Sequence, residues 1–406
     1  PKQPGCEWQP GCCRLEAPMN WLNAAILFLL FAGHCELMAA WVNRVHALPY
    51  RRRTLEWTRY VHDLLVVGFL PFVVWRVGLT GPRLLLDGEW SQLSWGWRIY
   101  FVLCGLGVVS LAATAVRETL RRRPEVRSSK TIDVAEELGS APAGPGFRGR
   151  IARLPGNEVF LLEVNEKEYV LPQLPAELDG LSVAHFSDTH FRGPIGLDYF
   201  RYAFGEIAAL KADLIAFTGD LLDEQELVSW LPETFGRLSA PLGCWFILGN
   251  HDWLLDPEPM RAALTRLGWN DLGGTVALLD PKGRRIALGG DETPWIGEPP
   301  DFAGTESARL RVLLSHTPDN LRRASRQGID LMLSGHNHGG QVCLPLIGPV
   351  YSPSRYGVRY AAGTFREGPT VLHVSRGLSA ERPLRWNCPP EVTKVILRSP
   401  AASGRM

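Results

Sequence analysis

The sequence predicts an α/β domain, with sheet layers inside and helices outside, preceded by an all-α membrane segment of about three transmembrane helices. Two observations lead to this prediction. Three long apolar runs fill the first third of the chain. From Leu181 onward, short apolar strands alternate with amphipathic helices, a pattern typical of α/β folds in which the sheets are buried on both faces.

The length and charge of the chain narrow its class. Its 406 residues are too many for one average domain, so we expect two or three structural units. The 43 basic and 42 acidic side chains give a formal net charge of +1. This balance argues against a strongly basic nucleic-acid-binding protein, and we expect no nucleic-acid partner. The oligomeric state is left open.

The three apolar runs cover residues 21–42, 61–77 and 97–116, within a membrane region that we place at 1–127. A helix needs about 20 residues to cross about 30 Å of hydrocarbon, which the first and third runs provide. The second run is shorter and contains Pro71, which neighbouring helices can accommodate. Each run could instead be a buried helix of a soluble protein. Three in succession, flanked by aromatic residues and arginines, favour a multi-pass membrane protein.

Arginines at the ends of these runs indicate the orientation in the cell membrane. They are abundant after the first run and after the third, whereas only Arg83 lies well clear of the helix ends between the second and third. Cytoplasmic segments carry the excess of basic residues. We therefore expect the N-terminus outside and the C-terminal domain in the cytoplasm.

A polar segment separates the membrane region from the C-terminal domain. Residues 128–175 contain a run rich in Gly, Pro and Ala, GSAPAGPGFRGR, followed by two short apolar runs. We interpret the part up to about Arg150 as a linker and the remainder as an entry hairpin. The α/β domain is then expected over residues 176–399, followed by a tail at 400–406.

Five turns that follow predicted strands are rich in Asp, Asn and His. Ligands of α/β sheets bind outside the carboxyl ends of strands, so a functional site is expected here. Each turn alone has an ordinary structural interpretation, but five of the ten histidines fall in these turns, which composition alone does not explain. The turns read SDTH at residues 187–190, TGDLLD at 218–223, LGNHD at 248–252, LSH at 314–316 and SGHNH at 334–338.

These residue types suit Mn, Fe, Zn or Ni, and together they support hydrolysis at two metal ions. Two divalent cations about 3.5–4 Å apart repel each other unless an anion lies between them, and Asp220 is the natural bridge. Asp188, His190 and one histidine of the pair His336 and His338 would complete the first metal site. The glycines around that pair permit close approach of the backbone.

The second metal would take Asn250, His316 and the other histidine of the pair. Bound metals would lower the pKa of a bridging water from about 15.7 toward about 7 and hold phosphoryl oxygens. His251, offset from Asn250, would face the leaving group as an acid or electrostatic stabiliser. Asp252 would orient the His251 imidazole.

The ordered series D-x-H, G-D-x-x-D, G-N-H-D, a lone H and G-H-x-H resembles the calcineurin-like metallophosphoesterase superfamily over about residues 176–398. The G-H-x-H-G-G-Q ending looks like the branch of YkuE-type and transmembrane metallophosphoesterases, which includes some membrane-associated UDP-2,3-diacylglucosamine hydrolases. The resemblance implies a two-sheet α/β sandwich with helices outside. It also implies one metal at Asp188, His190, Asp220 and His338, a second at Asp220, Asn250, His316 and His336, and an acid-like role for His251.

These features predict a membrane-anchored phosphoesterase that uses two divalent metal ions, with Mn favoured, and cleaves a phosphate monoester, diester or diphosphate through a metal-bound hydroxide. A membrane anchor favours a phosphorylated, lipid-linked substrate, such as a UDP-sugar lipid, taken from among the membrane lipids. Arg355 and Arg376 could clamp the substrate phosphate, or be ordinary structural arginines. The alternative is a non-catalytic membrane sensor or scaffold that binds a nucleotide or protein, against which the intact His251 and Asp252 argue.

Overall fold

The structure is a computed structural model, and it describes residues 18–121, 126–379 and 382–400. The first 17 residues of the predicted membrane region and the predicted tail beyond Pro400 lie outside the described residues. The described chain forms two structural units. Of the described residues, 18–38 and 60–111 form the helical unit, and 39–59 together with those from Ala112 to Pro400 form the sheet unit.

Three long apolar helices form in the first third of the chain, as the sequence predicted. They are α1 (Trp21–His46), α2 (Arg52–Val73) and α3 (Trp95–Leu120). Helix α2 contains Pro71, which disturbs the α-helical hydrogen-bond pattern, and it continues as a π-helical segment, Val74–Thr80. All three helices are long and apolar enough to cross a membrane. Each is longer than the predicted apolar run because polar residues at its ends continue the helix.

Within the helical unit, His34 connects the three helices. Its Nδ1 lies 2.6 Å from the Tyr100 hydroxyl of α3, and its Nε2 lies 3.2 Å from the Leu65 carbonyl of α2. Its ring stacks on Phe69 with 3.8 Å between centroids. A polar side chain in a membrane segment is stabilised when neighbouring helices supply its hydrogen-bond partners, which accounts for a histidine in this apolar run.

The sheet unit contains two large mixed sheets and a two-stranded ribbon. The seven-stranded sheet has the spatial order β1 (Val126–Asp133), β2 (Leu161–Val170), β15 (Glu391–Arg398), β3 (Ser182–Phe186), β4 (Leu214–Thr218), β5 (Cys244–Ile247) and β6 (Trp269–Asp271). The six-stranded sheet has the order β13 (Gly363–Glu367), β14 (Thr370–Val374), β10 (Leu331–Ser334), β9 (Leu310–Ser315), β8 (Ile286–Asp291) and β7 (Val276–Leu279). The ribbon pairs β11 (Cys343–Leu344) with β12 (Gly348–Pro349).

The two large sheets share one apolar core. Val183 and Leu214 of the first sheet pack in the same buried cluster as Leu288 and Val312 of the second. Helices cover the outer faces: α6 (Leu197–Ala209) buries Phe204 against one sheet, and α9 (Leu321–Arg326) packs on the other. The predicted two-sheet α/β sandwich with helices outside is confirmed. The remaining α-helices are α4 (Val134–Glu137), α5 (Gly146–Ala152), α7 (Asn250–Trp253) and α8 (Pro257–Arg266).

The structure corrects the expectation of a linker followed by a hairpin. The first residues of the supposed linker belong to β1, which begins at Val126 and pairs antiparallel with β2 at the edge of the seven-stranded sheet. The supposed hairpin is the single strand β2, which is paired on its other side with β15. The polar residues that suggested a turn inside β2 have partners in the sheet, since Asn165 and Lys167 both bond the buried Glu391 carboxylate. A central strand can therefore carry them.

Candidate metal centre

The five polar turns converge because of the direction of the strands that precede them. Strands β3, β4 and β5 run parallel to one another, and so do β8, β9 and β10. The carboxyl ends of parallel strands lie at one edge of a sheet, where ligands bind. Seven side chains from these turns come together at that edge: Asp188, His190, Asp220, Asn250, His316, His336 and His338.

The ligand atoms form two groups that share one carboxylate. In the first group, oxygen and nitrogen atoms of Asp188, His190, Asp220 and His338 lie within 4.8 Å of one another. Asp220 belongs to the second group as well, whose other members are His316 and His336. Within these groups Asp220 Oδ2 lies 3.4 Å from His190 Nε2 and 3.4 Å from His316 Nε2. Asn250 Oδ1 lies 2.9 Å from His316 Nε2, at the second group.

Backbone carbonyls fix the orientation of three imidazoles. A carbonyl only accepts hydrogen bonds, so the ring nitrogen facing it carries the proton and the other ring nitrogen keeps its lone pair for a metal. The donor set therefore fits divalent cations. The three bonds run from His316 Nδ1 to the Thr218 carbonyl at 2.7 Å, from His336 Nε2 to the Pro353 carbonyl at 2.8 Å and from His338 Nδ1 to the Ser379 carbonyl at 3.2 Å.

The backbone of the centre is strained at five of its seven residues. Asp188, His190, Asp220, His336 and His338 have φ angles of 54°, 40°, 57°, 70° and 49°. Positive φ is uncommon for residues other than glycine and costs on the order of 1–3 kcal/mol. Such strain persists where the surrounding structure enforces it, and it clusters at functional sites.

Two glycines allow the ligand-bearing turns to approach one another. A Cβ atom at Gly249 would lie 2.2 Å from Asp220 Oδ1, and one at Gly335 would lie 2.3 Å from Asp188 Oδ2. Neither position has room for a side chain. The glycine-rich sequence around His336 and His338 is therefore explained in part by the close packing of the Asp188 carboxylate on its backbone.

The buried charges of the centre act strongly on one another. Burial raises the pKa of Asp188, and the neighbouring Asp220 charge raises it further. Burial also acts to raise the pKa of Asp220, but His316 and His251 outweigh burial and hold that pKa well below its usual range. Burial acts to lower the pKa of His316, but Asp220 raises it to about 9. Divalent cations would favour ionised carboxylates and neutral imidazoles here.

Comparison with known proteins gives the family. The family model described as calcineurin-like phosphoesterase matches residues 181–340. The uncharacterized metallophosphoesterase YkuE of Bacillus subtilis is 33% identical over 274 residues, which cover 64% of this chain and 93% of that protein. The chain belongs to the calcineurin-like phosphoesterase family.

Two further relatives of this phosphoesterase have informative names. The UDP-2,3-diacylglucosamine pyrophosphatase LpxG of Chlamydia trachomatis is 23% identical over 58% of this chain and 89% of that protein. A Danio rerio transmembrane protein with metallophosphoesterase domain is 28% identical over 58% of this chain and 57% of that protein. With the three apolar helices and the clustered ligands, these findings identify a membrane hydrolase that acts on phosphoric ester bonds and uses divalent metal ions.

In this phosphoesterase, the carboxylate that orients His251 is Asp223, and the expectation of Asp252 was wrong. Asp223 Oδ1 lies 2.7 Å from His251 Nδ1. The Asp252 carboxylate instead accepts hydrogen bonds from the backbone N–H groups of Leu221, Leu222 and Gly249. Adjacent residues of a helical turn do not face each other, so in α7 Asp252 points away from His251.

Asp223 is the functional residue that sequence reasoning did not single out. Its side chain bonds both His190 and His251, and burial acts to raise its pKa while those two imidazoles hold the pKa well below its usual range. The sequence carries a pattern that could have identified it, because Asp223 is the second acidic residue of the G-D-x-x-D motif. Trp295, which follows β8, also contacts the centre, with its ring 5.6 Å from His316 and 4.9 Å from His336 between centroids.

The two arginines proposed as a phosphate clamp lie elsewhere. A cavity of about 140 Å³ opens on the centre, and neither Arg355 nor Arg376 is among the described residues that line it. The Arg376 guanidinium pairs with Glu163 at 2.8 Å and with Glu391 at 3.0 Å. Its charge is therefore used within the fold. Arg355 is exposed, and its backbone N–H donates to Asp319.

Proposed function

We propose that this phosphoesterase hydrolyses a phosphate ester or diphosphate bond of a lipid-linked substrate at a dinuclear metal centre built on Asp220. The observation that supports this most directly is the position of Asp220 Oδ2, equidistant at 3.4 Å from an imidazole of each ligand group. Two cations close together need a shared anion, and this carboxylate can supply it. The relative named for a UDP-2,3-diacylglucosamine pyrophosphatase supports a lipid-linked diphosphate as the substrate class.

The proposal assigns each ligand to one of two ions. The first ion would be held by Asp188, His190, Asp220 and His338, and the second by Asp220, Asn250, His316 and His336. Oxygen and imidazole ligands accept Mn, Fe, Zn or Ni, and we propose Mn. When bound, such ions neutralise phosphoryl oxygens and lower the pKa of a water to about 7.

The protein residues position the substrate and move one proton. His251 lines the cavity with Asp220, and its Nδ1 faces Asp223, so the proposal assigns its Nε2, across the ring, to the leaving group. A water oxygen bonds to phosphorus while the bond between phosphorus and the leaving oxygen breaks. The leaving oxygen takes a proton from His251 Nε2, and the water yields a proton in return, so the imidazole is restored.

We also propose that the catalytic unit faces the cytoplasm, as the distribution of arginines around the helices predicts. Protease added to sealed right-side-out vesicles should then leave a C-terminal tag intact and remove it only after detergent is added. Removal of the tag before detergent would reverse the orientation.

The function is tested with a panel of substrates and one variant. The purified full-length protein in detergent micelles with Mn²⁺ would be assayed on an aryl phosphate, an aryl phosphodiester and a nucleoside diphosphate lipid. We expect hydrolysis by the wild type and a loss of at least about 10²-fold in Asp220→Asn, because the shared anion is removed. Full activity in that variant would contradict the proposal, and metal uptake without turnover of any substrate would favour the non-catalytic sensor or scaffold.

A further inference from the structure

One face of α2 lines the cavity that opens on the metal centre. The cavity residues on this helix are Arg52, Leu55, Glu56 and Arg59. Their spacing of three, four and seven positions places all four on the same side of the first two turns of the helix. Members of the centre line the same cavity, so the first turns of a candidate membrane-spanning helix form part of the substrate cavity.

The end of α1 is fixed to the catalytic fold and holds this segment in place. Asn43 is only 2% exposed, and its side-chain oxygen accepts a hydrogen bond from the backbone N–H of Ser352 at 3.0 Å. His46 Nδ1 lies 3.3 Å from the Tyr351 hydroxyl, and both of these residues also line the cavity. Only residues 47–51 separate α1 from α2. Because they join two candidate membrane spans, this short connection lies at a membrane surface, and so does the cavity wall that follows it.

The chemistry of this wall suits an anionic amphiphile. The Arg52 guanidinium pairs with Glu56 at 3.0 Å, but both side chains are more than half exposed, and exposed pairs of this kind contribute little and are readily replaced. A guanidinium binds a phosphate through two parallel hydrogen bonds. Apolar surface lies beside these charges, since Leu254 and Leu255 line the same cavity as Leu55.

Arg192 adds a third cation to the cavity from the loop after β3. It lies 3.6 Å from Asp223 Oδ2 and 3.7 Å from Glu224 Oε1. Arg192 therefore lines the same cavity as Arg52 and Arg59 and also contacts Asp223, the carboxylate that orients His251. The cavity is thus lined by metal-binding residues, arginines and leucines together.

We propose that the cavity face of α2, with Arg52 and Arg59 as its charged residues, is a second phosphate subsite for a lipid-linked diphosphate. This inference rests on the proposed function. One phosphate of the substrate lies at the metal centre, the other lies against the two guanidinium groups, and the apolar chain lies along Leu55, Leu254 and Leu255. The membrane segment is accordingly a specificity-determining part of the enzyme as well as an anchor.

The test uses the full-length protein in mixed micelles and measures inhibition of bis(p-nitrophenyl) phosphate hydrolysis by CDP-dioleoylglycerol. In the double variant Arg52→Gln, Arg59→Gln we expect the inhibition constant to rise about tenfold or more, because charge-assisted bonds to the second phosphate are lost. The small diester has only one phosphate. The fold-increase in its KM should therefore be at most one fifth of the fold-increase in the inhibition constant of CDP-dioleoylglycerol. The double variant should lose much less affinity for dioleoyl phosphatidic acid, a lipid with one phosphate. Inhibition by soluble CDP, which has the diphosphate without the lipid, separates recognition of the diphosphate from recognition of the lipid.

The chain offers a matched control beside Arg52, since Arg51 immediately precedes α2 and Arg53 lies in its first turn. Arg51 and Arg53 are exposed and lie off the cavity face, so Arg51→Gln, Arg53→Gln removes the same charge beside the membrane. This control should bind CDP-dioleoylglycerol like the wild type. The subsite would be overturned if both double variants lost the same affinity for CDP-dioleoylglycerol. It would also be overturned if Arg52→Gln, Arg59→Gln lost as much affinity for the small diester as for the lipid, or if the lipid did not inhibit the wild type. If the wild type fails to hydrolyse the small diester, the proposed function fails instead, and the subsite is then tested with the same variants by equilibrium binding of CDP-dioleoylglycerol.

Discussion

Asp223 Oδ1 lies 2.7 Å from His251 Nδ1 and 3.1 Å from His190 Nδ1, so one carboxylate oxygen orients both a cavity imidazole and a metal-ligand imidazole. A ring nitrogen bonded to a carboxylate carries the proton, which directs the opposite nitrogen of each ring toward the centre. The side chain is nearly fully buried, at 4% exposed, so no bulk water can substitute for it.

The first prediction concerns this carboxylate. Asp223→Asn should lower kcat about 10- to 100-fold and weaken metal binding, because outer carboxylates fix the tautomer and basicity of the imidazoles they bond. Steady-state kinetics with excess Mn²⁺ and a metal titration measure the two effects. Glu224→Gln is the control, since Glu224 is adjacent in sequence but lies 46% exposed at the surface. Equal kinetics for Asp223→Asn and wild type would show that the imidazoles do not depend on this contact.

A second prediction concerns the end of α1. Asn43 accepts from the Ser352 N–H, and the carbonyl of the following residue, Pro353, accepts from His336 Nε2. Asn43→Ala should therefore loosen the loop that orients His336 and weaken Mn²⁺ binding about tenfold. Calorimetric titration would measure this, with Arg44→Gln, an exposed position on the same helix, as control. Unchanged Mn²⁺ affinity in Asn43→Ala would exclude a role of α1 in supporting the centre.

A third prediction tests the close approach at Gly249. An added Cβ would meet the Asp220 carboxylate at 2.2 Å, so Gly249→Ala should displace Asp220 and abolish metal retention while the helices and sheets remain folded. Metal content and circular dichroism would be measured together. Gly205→Ala in α6 is the control because nothing lies within 4 Å of the added carbon, and alanine favours a helix there by roughly 1 kcal/mol. A fully metallated Gly249→Ala protein would show that the site tolerates the shift.

A fourth prediction concerns pH and two core histidines that do not belong to the centre. Burial lowers the pKa of His185 to about 3 and holds the pKa of His373 well below its ordinary value. In the unfolded chain both titrate near about 6.5. As the pH falls below that value, the unfolded chain takes up protons that the folded protein does not. The free energy of unfolding therefore falls by about 1.4 kcal/mol per pH unit for each histidine. For His185 this loss continues down to about pH 3.

The measurement is the melting temperature between pH 7 and pH 5. The wild type should lose more stability over this interval than His185→Gln, in which one of the two titrating groups is gone, and the metal ligands contribute equally to both proteins. Identical pH slopes for the two proteins would contradict the assignment of His185 as a neutral core histidine.

Much of the site could be predicted from sequence because its ligands sit at fixed places in a simple pattern. Each turn follows a short buried strand, and parallel strands bring their carboxyl ends together, so Asp188, Asp220 and His316 were expected to converge. The membrane helices could be predicted for a similarly simple reason, since about 20 apolar residues in succession have few alternatives.

What could not be predicted depends on contacts between residues distant in sequence. The partner of His251 is Asp223, 28 positions away, because the turn of α7 directs Asp252 toward the backbone of the Asp220 loop. The role of Arg376 depends on Glu163 and Glu391, which arrive from two other strands. The polar sequence of β1 predicts a linker, because an exposed edge strand lacks the alternating apolar pattern.

The number of metal ions held by the full-length protein decides whether Asp220 is shared by two cations. Protein loaded with Mn²⁺, freed of excess metal and analysed by elemental mass spectrometry should retain two ions per chain, and Asp220→Asn should retain fewer. Two groups of ligands that meet at one carboxylate require this result. Retention of no ion by well-folded wild-type protein, or of the same two ions after Asp220→Asn, would contradict the account.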